Sequence, residues 1–96
     1  MIEPTARLLH SSEKDGQTPE VRVLILMHEL GEIANRISKA RRLEKDKHLY
    51  MADIKIDIGQ AMLQLEMLAL DLGLVPEDCH KIGLDTTWQH FKEWWG

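Results

Sequence analysis

Cysteine and aromatic residues are scarce in this 96-residue sequence. It contains one cysteine, Cys79, three tryptophans, one tyrosine and one phenylalanine. A single cysteine excludes an internal disulfide and a pair of thiolate metal ligands, and such usage is typical of a reducing cytoplasm. The longest apolar run, residues 23–27, is too short to span a membrane, and no cationic segment leads into it as a signal peptide would. We therefore expect a cytoplasmic protein with no signal peptide and no membrane partner.

Signals for strands and for phosphate-binding loops are missing as well. The sequence shows no strand-like alternation of apolar and polar residues, no internal repeat and no glycine-rich phosphate loop. Its net charge is −4 and it has no basic stripe, which argues against duplex nucleic acid as a partner. Residues 20–50 nevertheless hold seven Lys or Arg against five acids, which suits a smaller polyanion.

Two long helices are predicted to form most of the molecule. Thr18 can cap a helix, and Pro19 suits the first helical position because the N–H that proline lacks would be unpaired there. This helix should run to about residue 42, and a second should span residues 47–72, where Gly73 predicts a left-handed C-terminal cap. The apolar spacing therefore predicts an all-α fold with two long antiparallel helices.

The two ends of the chain give weaker signals. Residues 1–17 are poor in apolar residues and predict a flexible lead-in, so the folded domain is expected over residues 18–96. Toward the C-terminus, Pro76 predicts the start of a short helix that Gly83 should end, and Asp85 predicts the cap of a last helix. The aromatic face of this last helix is expected to pack on the bundle or across an oligomer interface.

The second long helix is apolar around most of its circumference. Only a narrow polar strip remains: Asp53, Asp57, Gln60, Gln64 and Asp71. A helix of this kind is buried on more than one side, and a chain of 96 residues is too short to cover all of these sides itself. We therefore expect a homodimer or homotetramer with this helix at its centre.

Four acidic residues form two pairs at helical spacing. Glu29 and Glu32 share one face of the first long helix, and Asp53 and Asp57 share one face of the second. If the helices pack side by side, the four carboxylates converge and suit Mg²⁺ or Mn²⁺. The alternative is two solvated acidic faces. Basic residues one and two turns beyond Glu32 can either contact phosphates or simply complement the helix dipole.

Three segments together carry a family resemblance: HELGE at residues 28–32, DIKIDI at residues 53–58 and LALDLGL at residues 68–74. Their order and spacing resemble the MazG family of nucleoside triphosphate pyrophosphohydrolases. That family combines a Glu-Glu-x-x-Glu helix with a Glu-x-x-Asp helix that ends in a similar apolar stretch. Two positions depart from the pattern, because His28 and Ile54 stand where the family has glutamates. Asp53, one residue before Ile54, can take the place of the missing acid.

The resemblance implies a four-helix-bundle core completed by oligomerisation and Mg²⁺-dependent cleavage between the α- and β-phosphates. The products would be a nucleoside monophosphate and pyrophosphate. It also implies that Glu29, Glu32 and Asp57 are catalytic metal ligands, with Asp53 as a further ligand. From their positions, Arg36 and Lys39 can reach phosphate oxygens, and Gln60 is a candidate for base recognition across the subunit interface. His28 is either a substrate contact or a structural residue beside the apolar stripe. Related enzymes of the same group act on dUTP or phosphoribosyl-ATP. A catalytically degenerate helical module for oligomerisation or partner binding is the alternative from another class.

Overall fold

Four helices make up the protein in a computed structural model that describes residues 3–42 and 47–95. In chain order they are α1 (Glu3–Lys14), α2 (Pro19–Arg42), α3 (Lys47–Asp71) and α4 (Pro76–Trp95). No strand occurs within the described residues. The prediction of an all-α fold built around two long helices is confirmed.

Helix α2 starts and helix α3 ends where the sequence predicts, and each boundary has a local capping hydrogen bond. Thr18 caps α2 by accepting a hydrogen bond from the Val21 N–H at 3.3 Å. At the end of α3, Gly73 has a φ of 74°, and the Leu74 N–H donates to the Ala69 carbonyl at 2.8 Å. This is the Schellman arrangement, which requires a residue that tolerates the left-handed conformation.

The N-terminal segment forms a helix where the sequence predicts a flexible lead-in. Helix α1 ends at Lys14, and Gly16 in the turn that follows has a φ of 82°. The Gln17 N–H donates to the Ser12 carbonyl at 3.0 Å in a second Schellman arrangement. The Ser12 hydroxyl is buried and accepts a hydrogen bond from Arg22 on α2 at 2.7 Å. This tertiary contact, which residues 1–17 alone do not reveal, attaches α1 to the rest of the chain.

The C-terminal segment forms one helix, so the prediction of two short helices is wrong. Gly83 lies inside α4, because a glycine in a helix interior costs only about 1 kcal/mol relative to alanine. Asp85 does not cap a helix and instead accepts a hydrogen bond from Lys81 Nζ at 2.8 Å. Thr87 Oγ1 donates to the Gly83 carbonyl at 2.8 Å. These bonds between residues four apart continue the helix across the predicted break.

Helices α2 and α3 pack side by side as an antiparallel hairpin. The direction follows from two ion pairs, since Arg22 near the start of α2 meets Asp71 at the end of α3, and Arg36 meets Asp57. The Arg22 side chain is 0% exposed and the Asp71 side chain 6% exposed. Because an unpaired buried charge is strongly unfavourable, this pair restricts the hairpin to one register.

Much of the apolar surface faces outward in the single chain. The buried apolar residues are few and mostly small: Ala40, Ile54, Ala61, Met67 and Ala69. Large apolar residues of the predicted core stripes are exposed, including Leu30 on α2 and Met62 on α3. The accessible surface is 7613 Å², whereas a folded monomer of this mass exposes about 5,700 Å². The single chain therefore exposes about 1,900 Å² more than a folded monomer of its mass.

No single helix within the described residues is long and apolar enough to cross a membrane. The segments Tyr50–Asp71 and Pro76–Trp94 reach that length and composition only as a pair, and the chain bends by 107° between them.

We predict that the Asp71→Ala substitution lowers the free energy of unfolding by about 3–5 kcal/mol, because it leaves the Arg22 charge buried without a counter-charge. Replacing both partners, as Arg22→Met with Asp71→Leu, should cost much less, since no charge then remains buried. Urea unfolding at a fixed protein concentration measures both effects. The control is Asp85→Ala, which removes an exposed ion pair and should cost less than about 1 kcal/mol. A loss as large in the double variant as in Asp71→Ala would contradict this account.

Candidate functional site

The interface between α2 and α3 contains a row of polar side chains, which we call the seam. Its six members repeat at intervals of seven residues on each helix: Arg22, Glu29 and Arg36 on α2, and Asp57, Gln64 and Asp71 on α3. A seven-residue spacing returns nearly to the same side of a helix, so each set of three lies along one line. The antiparallel pairing places Arg–Asp pairs at both ends of the seam and a glutamate with a glutamine in its centre.

At the first end of the seam, the Arg22 side chain is fully buried and uses most of its donors. Arg22 Nε donates to Asp71, Nη2 donates to Ser12 Oγ, and Nη1 donates to Gln17 Oε1 at 3.2 Å. Nη1 also lies 3.7 Å from the Met67 sulfur. A guanidinium is well suited to this position, because its donors lie in one plane and reach several acceptors at once.

The other end of the seam joins two residues of the predicted site. Arg36 Nη1 donates to Asp57 Oδ2 at 2.7 Å, with the side chains 33% and 13% exposed. Asp57 is predicted from the sequence to be a metal ligand and Arg36 to contact substrate phosphate. In this arrangement the Asp57 carboxylate already has a counter-charge, and Arg36 is held in place beside the centre of the seam.

The centre of the seam contains two buried oxygen atoms without a hydrogen-bond donor. Glu29 Oε2 and Gln64 Oε1 are both inaccessible to solvent and have no partner among the described residues. Both residues line a cavity of about 250 Å³, together with Gln60 on α3 and Leu8 on α1. A buried acceptor without a partner is unfavourable by about 1–3 kcal/mol. The cavity therefore favours a ligand that is a cation or that donates hydrogen bonds.

The other predicted site residues lie nearer the surface. Glu32, Asp53, Lys39 and His28 are exposed, and Gln60 is exposed at the cavity rim. Ile54, at the position where the family has a glutamate, is buried and 4% exposed. Across the described ranges 3–42 and 47–95, no three His, Cys, Asp or Glu residues are grouped closely enough to hold a metal ion. One chain therefore brings Asp57 to Arg36 and Glu29 to Gln64, and it does not bring the four carboxylates together.

Two residues of the seam were not identified as site residues from the sequence. Gln64 belongs to the predicted polar strip of the second long helix, but its relation to Glu29 depends on the pairing of two helices. Arg22 borders the apolar stripe of α2 and carries no motif. Both residues could have been found from the shared interval of seven residues. This interval links Arg22 to Glu29 on one helix and Gln64 to Asp57 and Asp71 on the other.

Comparison with known proteins does not identify a family for this chain. No protein-family model, no curated protein and no solved structure matches it. The resemblance to the MazG family therefore depends on the three sequence segments and their spacing.

We predict that Glu29→Gln stabilises the metal-free protein by about 1 kcal/mol. The new side-chain amide can donate to Gln64 Oε1, and the buried charge is removed. The matched control is Glu32→Gln, one turn away on the same helix, which should change stability by less than about 0.5 kcal/mol because Glu32 is exposed. Urea unfolding in the presence of a chelator measures both variants. Destabilisation by Glu29→Gln would show that Glu29 Oε2 has a donor in solution.

Proposed function

We propose that this chain is a subunit of a Mg²⁺-dependent nucleoside triphosphate pyrophosphohydrolase, with Mn²⁺ as a possible substitute for Mg²⁺. The reaction would break the bond between the α-phosphorus and the oxygen that bridges it to the β-phosphate. A water oxygen would form the new bond to the α-phosphorus, and the products would be a nucleoside monophosphate and pyrophosphate. The observation that carries the proposal is the unpaired, buried Glu29 Oε2 in the centre of the α2–α3 seam.

The side chains proposed as ligands would suit a hard divalent cation if they converged on Glu29 in the active protein. Glu29 and Glu32 are separated by three residues on α2, and Asp57 lies on the facing helix. Asp53 is one turn before Asp57 and would complete the set of ligands in place of the residue at Ile54. All of these donors are oxygen atoms, which Mg²⁺ and Mn²⁺ prefer. When bound, the metal would neutralise charge on the triphosphate and lower the pKa of a coordinated water.

Basic residues of α2 would position the phosphates. Arg36 is held by Asp57 at one end of the seam, and its remaining N–H groups can donate to phosphate oxygens. Lys39 is exposed on the same helix and adds positive charge for the leaving pyrophosphate. Phosphoryl transfer depends mainly on such positioning and charge stabilisation, so no covalent nucleophile is required. His28 and Gln60 are the further substrate contacts in this proposal.

The test of this activity is pyrophosphate release from a panel of ribo- and deoxyribonucleoside triphosphates, dUTP and phosphoribosyl-ATP, with Mg²⁺ present. We predict release from at least one of them. Glu32→Gln should lower that rate at least about 100-fold. Residues that only support metal ligands typically contribute about 10- to 100-fold, and Glu32 is proposed as a ligand itself. Glu13→Gln, on the exposed surface of α1, is the control and should retain the rate. No release with any nucleotide, or equal rates in wild type and Glu32→Gln, would remove the proposal.

A second candidate is a helical module without catalytic activity. It is favoured by the Arg36–Asp57 ion pair, which neutralises one predicted ligand, and by the burial of Ile54 at the position of another. Such a module would bind partners through its outward apolar faces and would not need a metal.

Thermal unfolding with and without millimolar Mg²⁺ or Mn²⁺ separates the two candidates. A site in which metal neutralises clustered carboxylates stabilises the folded state by linkage, so the hydrolase proposal predicts a higher Tm with metal. Glu29→Gln should lose most of this increase, whereas Glu13→Gln should keep it. An unchanged Tm in wild type would favour the module.

Assembly into a homodimer or homotetramer is part of the proposal. The excess accessible surface of about 1,900 Å² exceeds the ~800 Å² that each partner buries in a standard interface. Exposed apolar residues occur on several sides of α3, among them Ile56, Ile58 and Leu65. This distribution supports an assembly in which α3 is central.

We predict that Ile58→Lys shifts the protein toward monomer, because a lysine charge would have to be buried in the interface. Sedimentation velocity at several protein concentrations measures the shift. The control Glu13→Lys introduces the same side chain on α1 and should leave the assembly unchanged. A wild-type protein that sediments as a stable monomer at all concentrations would contradict the assembly.

A further inference from the structure

An open apolar groove lies in the angle between α3 and α4, where the chain bends by 107°. Its volume is about 980 Å³. Most of its lining is apolar: Met62, Leu65, Leu68, Leu72 and Leu74 from α3 and the following turn, with Pro76 from α4. A groove of this size that is rich in leucine and methionine is unfavourable in water unless another apolar surface covers it.

The outer half of α4 presents an aromatic surface of matching character. Trp88 and Phe91 contact each other edge to face, with their ring centroids 5.4 Å apart. Trp94, one turn further, is 80% exposed. Among the described helices, α4 packs only against α3. All three side chains are at least half exposed, so most of this aromatic surface faces solvent in the single chain.

We propose that the groove is filled by the aromatic half of α4 from a second copy of this chain, which we define as residues 84–94, and that the exchange is reciprocal. The helix that forms one wall of the groove is also the helix that fills the partner's groove. Such a contact uses the same surface on both copies, so a two-fold axis closes it and no further copies are required. This inference rests on the homo-oligomer of the proposed function and does not depend on hydrolase activity.

Surface area favours a second copy as the occupant. The excess accessible surface of about 1,900 Å² is enough for one standard interface at the groove and for further contacts along α3.

Cys79 provides a direct test, because it is the one cysteine of the sequence and lines the groove. We would introduce Lys92→Cys at the edge of the aromatic surface and oxidise the protein under mild conditions. Within one chain, positions 79 and 92 are separated by about 20 Å along α4. A disulfide requires Cα atoms within about 7 Å, so a bond between these positions can form only between copies.

The proposal predicts that most of the Lys92→Cys protein becomes a covalent dimer on a denaturing gel, and that reduction reverses it. Three controls identify the bond: wild type, Lys92→Cys combined with Cys79→Ser, and Glu13→Cys on α1, none of which should form the dimer. Cys79 in wild type should also react more slowly with a thiol reagent as protein concentration and assembly increase.

An oligomer that gives no bond between positions 79 and 92, or in which Cys79 stays fully reactive, would overturn the inference and assign the groove to another occupant. A protein that remains monomeric would overturn it as well. Pyrophosphate release is measured separately, so a covalent dimer without activity would remove the hydrolase and retain this interface. Pyrophosphate release by an oligomer that does not form the bond between positions 79 and 92 would retain the hydrolase and remove this interface.

Discussion

The buried guanidinium of Arg22 is the constraint on which the remaining structure depends. A charge with no exposed surface must be paired, and its partners come from three parts of the chain: Asp71 at the end of α3, and Ser12 and Gln17 from α1 and its turn. These contacts hold α1 against α3 and bring the end of α3 to the start of α2. From there, the interval of seven residues carries the pairing along the hairpin to Arg36 and Asp57. One buried cation thus defines both the direction and the register of the two long helices.

The polar seam bears on both the interior of the α2–α3 hairpin and its outer surface. On the inside, two Arg–Asp pairs enclose a central position where Glu29 and Gln64 offer acceptors without donors, which is why this position is the candidate site. On the outside, many large apolar residues of α2 and α3 face solvent in the single chain. We infer that the seam provides specificity of pairing and that association of the outward faces provides most of the stability. The candidate site and the proposed assembly would therefore follow from the same arrangement.

Local signals in the sequence were sufficient for some of these features. Thr18 and Gly73 act through hydrogen bonds to residues within five positions, so the helix boundaries that they define were predictable. The helix α1 and the uninterrupted α4 were not, since one depends on the distant Arg22 and the other on a glycine whose cost the flanking turns outweigh. For the site, the sequence indicated Glu29, Arg36 and Asp57, but it could not show which of them pair. That outcome depends on register, and an offset of one helical turn would have placed Asp57 opposite a different residue of α2.

The dependence of unfolding on protein concentration tests the central claim most directly. If association of the outward apolar faces supplies most of the stability, the folded chain is stabilised by mass action, and the urea midpoint must rise with concentration. Over an approximately 100-fold range of concentration, the account predicts a clear and continuous increase in that midpoint, with loss of helical circular dichroism and dissociation occurring together. A midpoint that is the same at all concentrations would show that the hairpin and its seam are stable alone, and it would contradict the account.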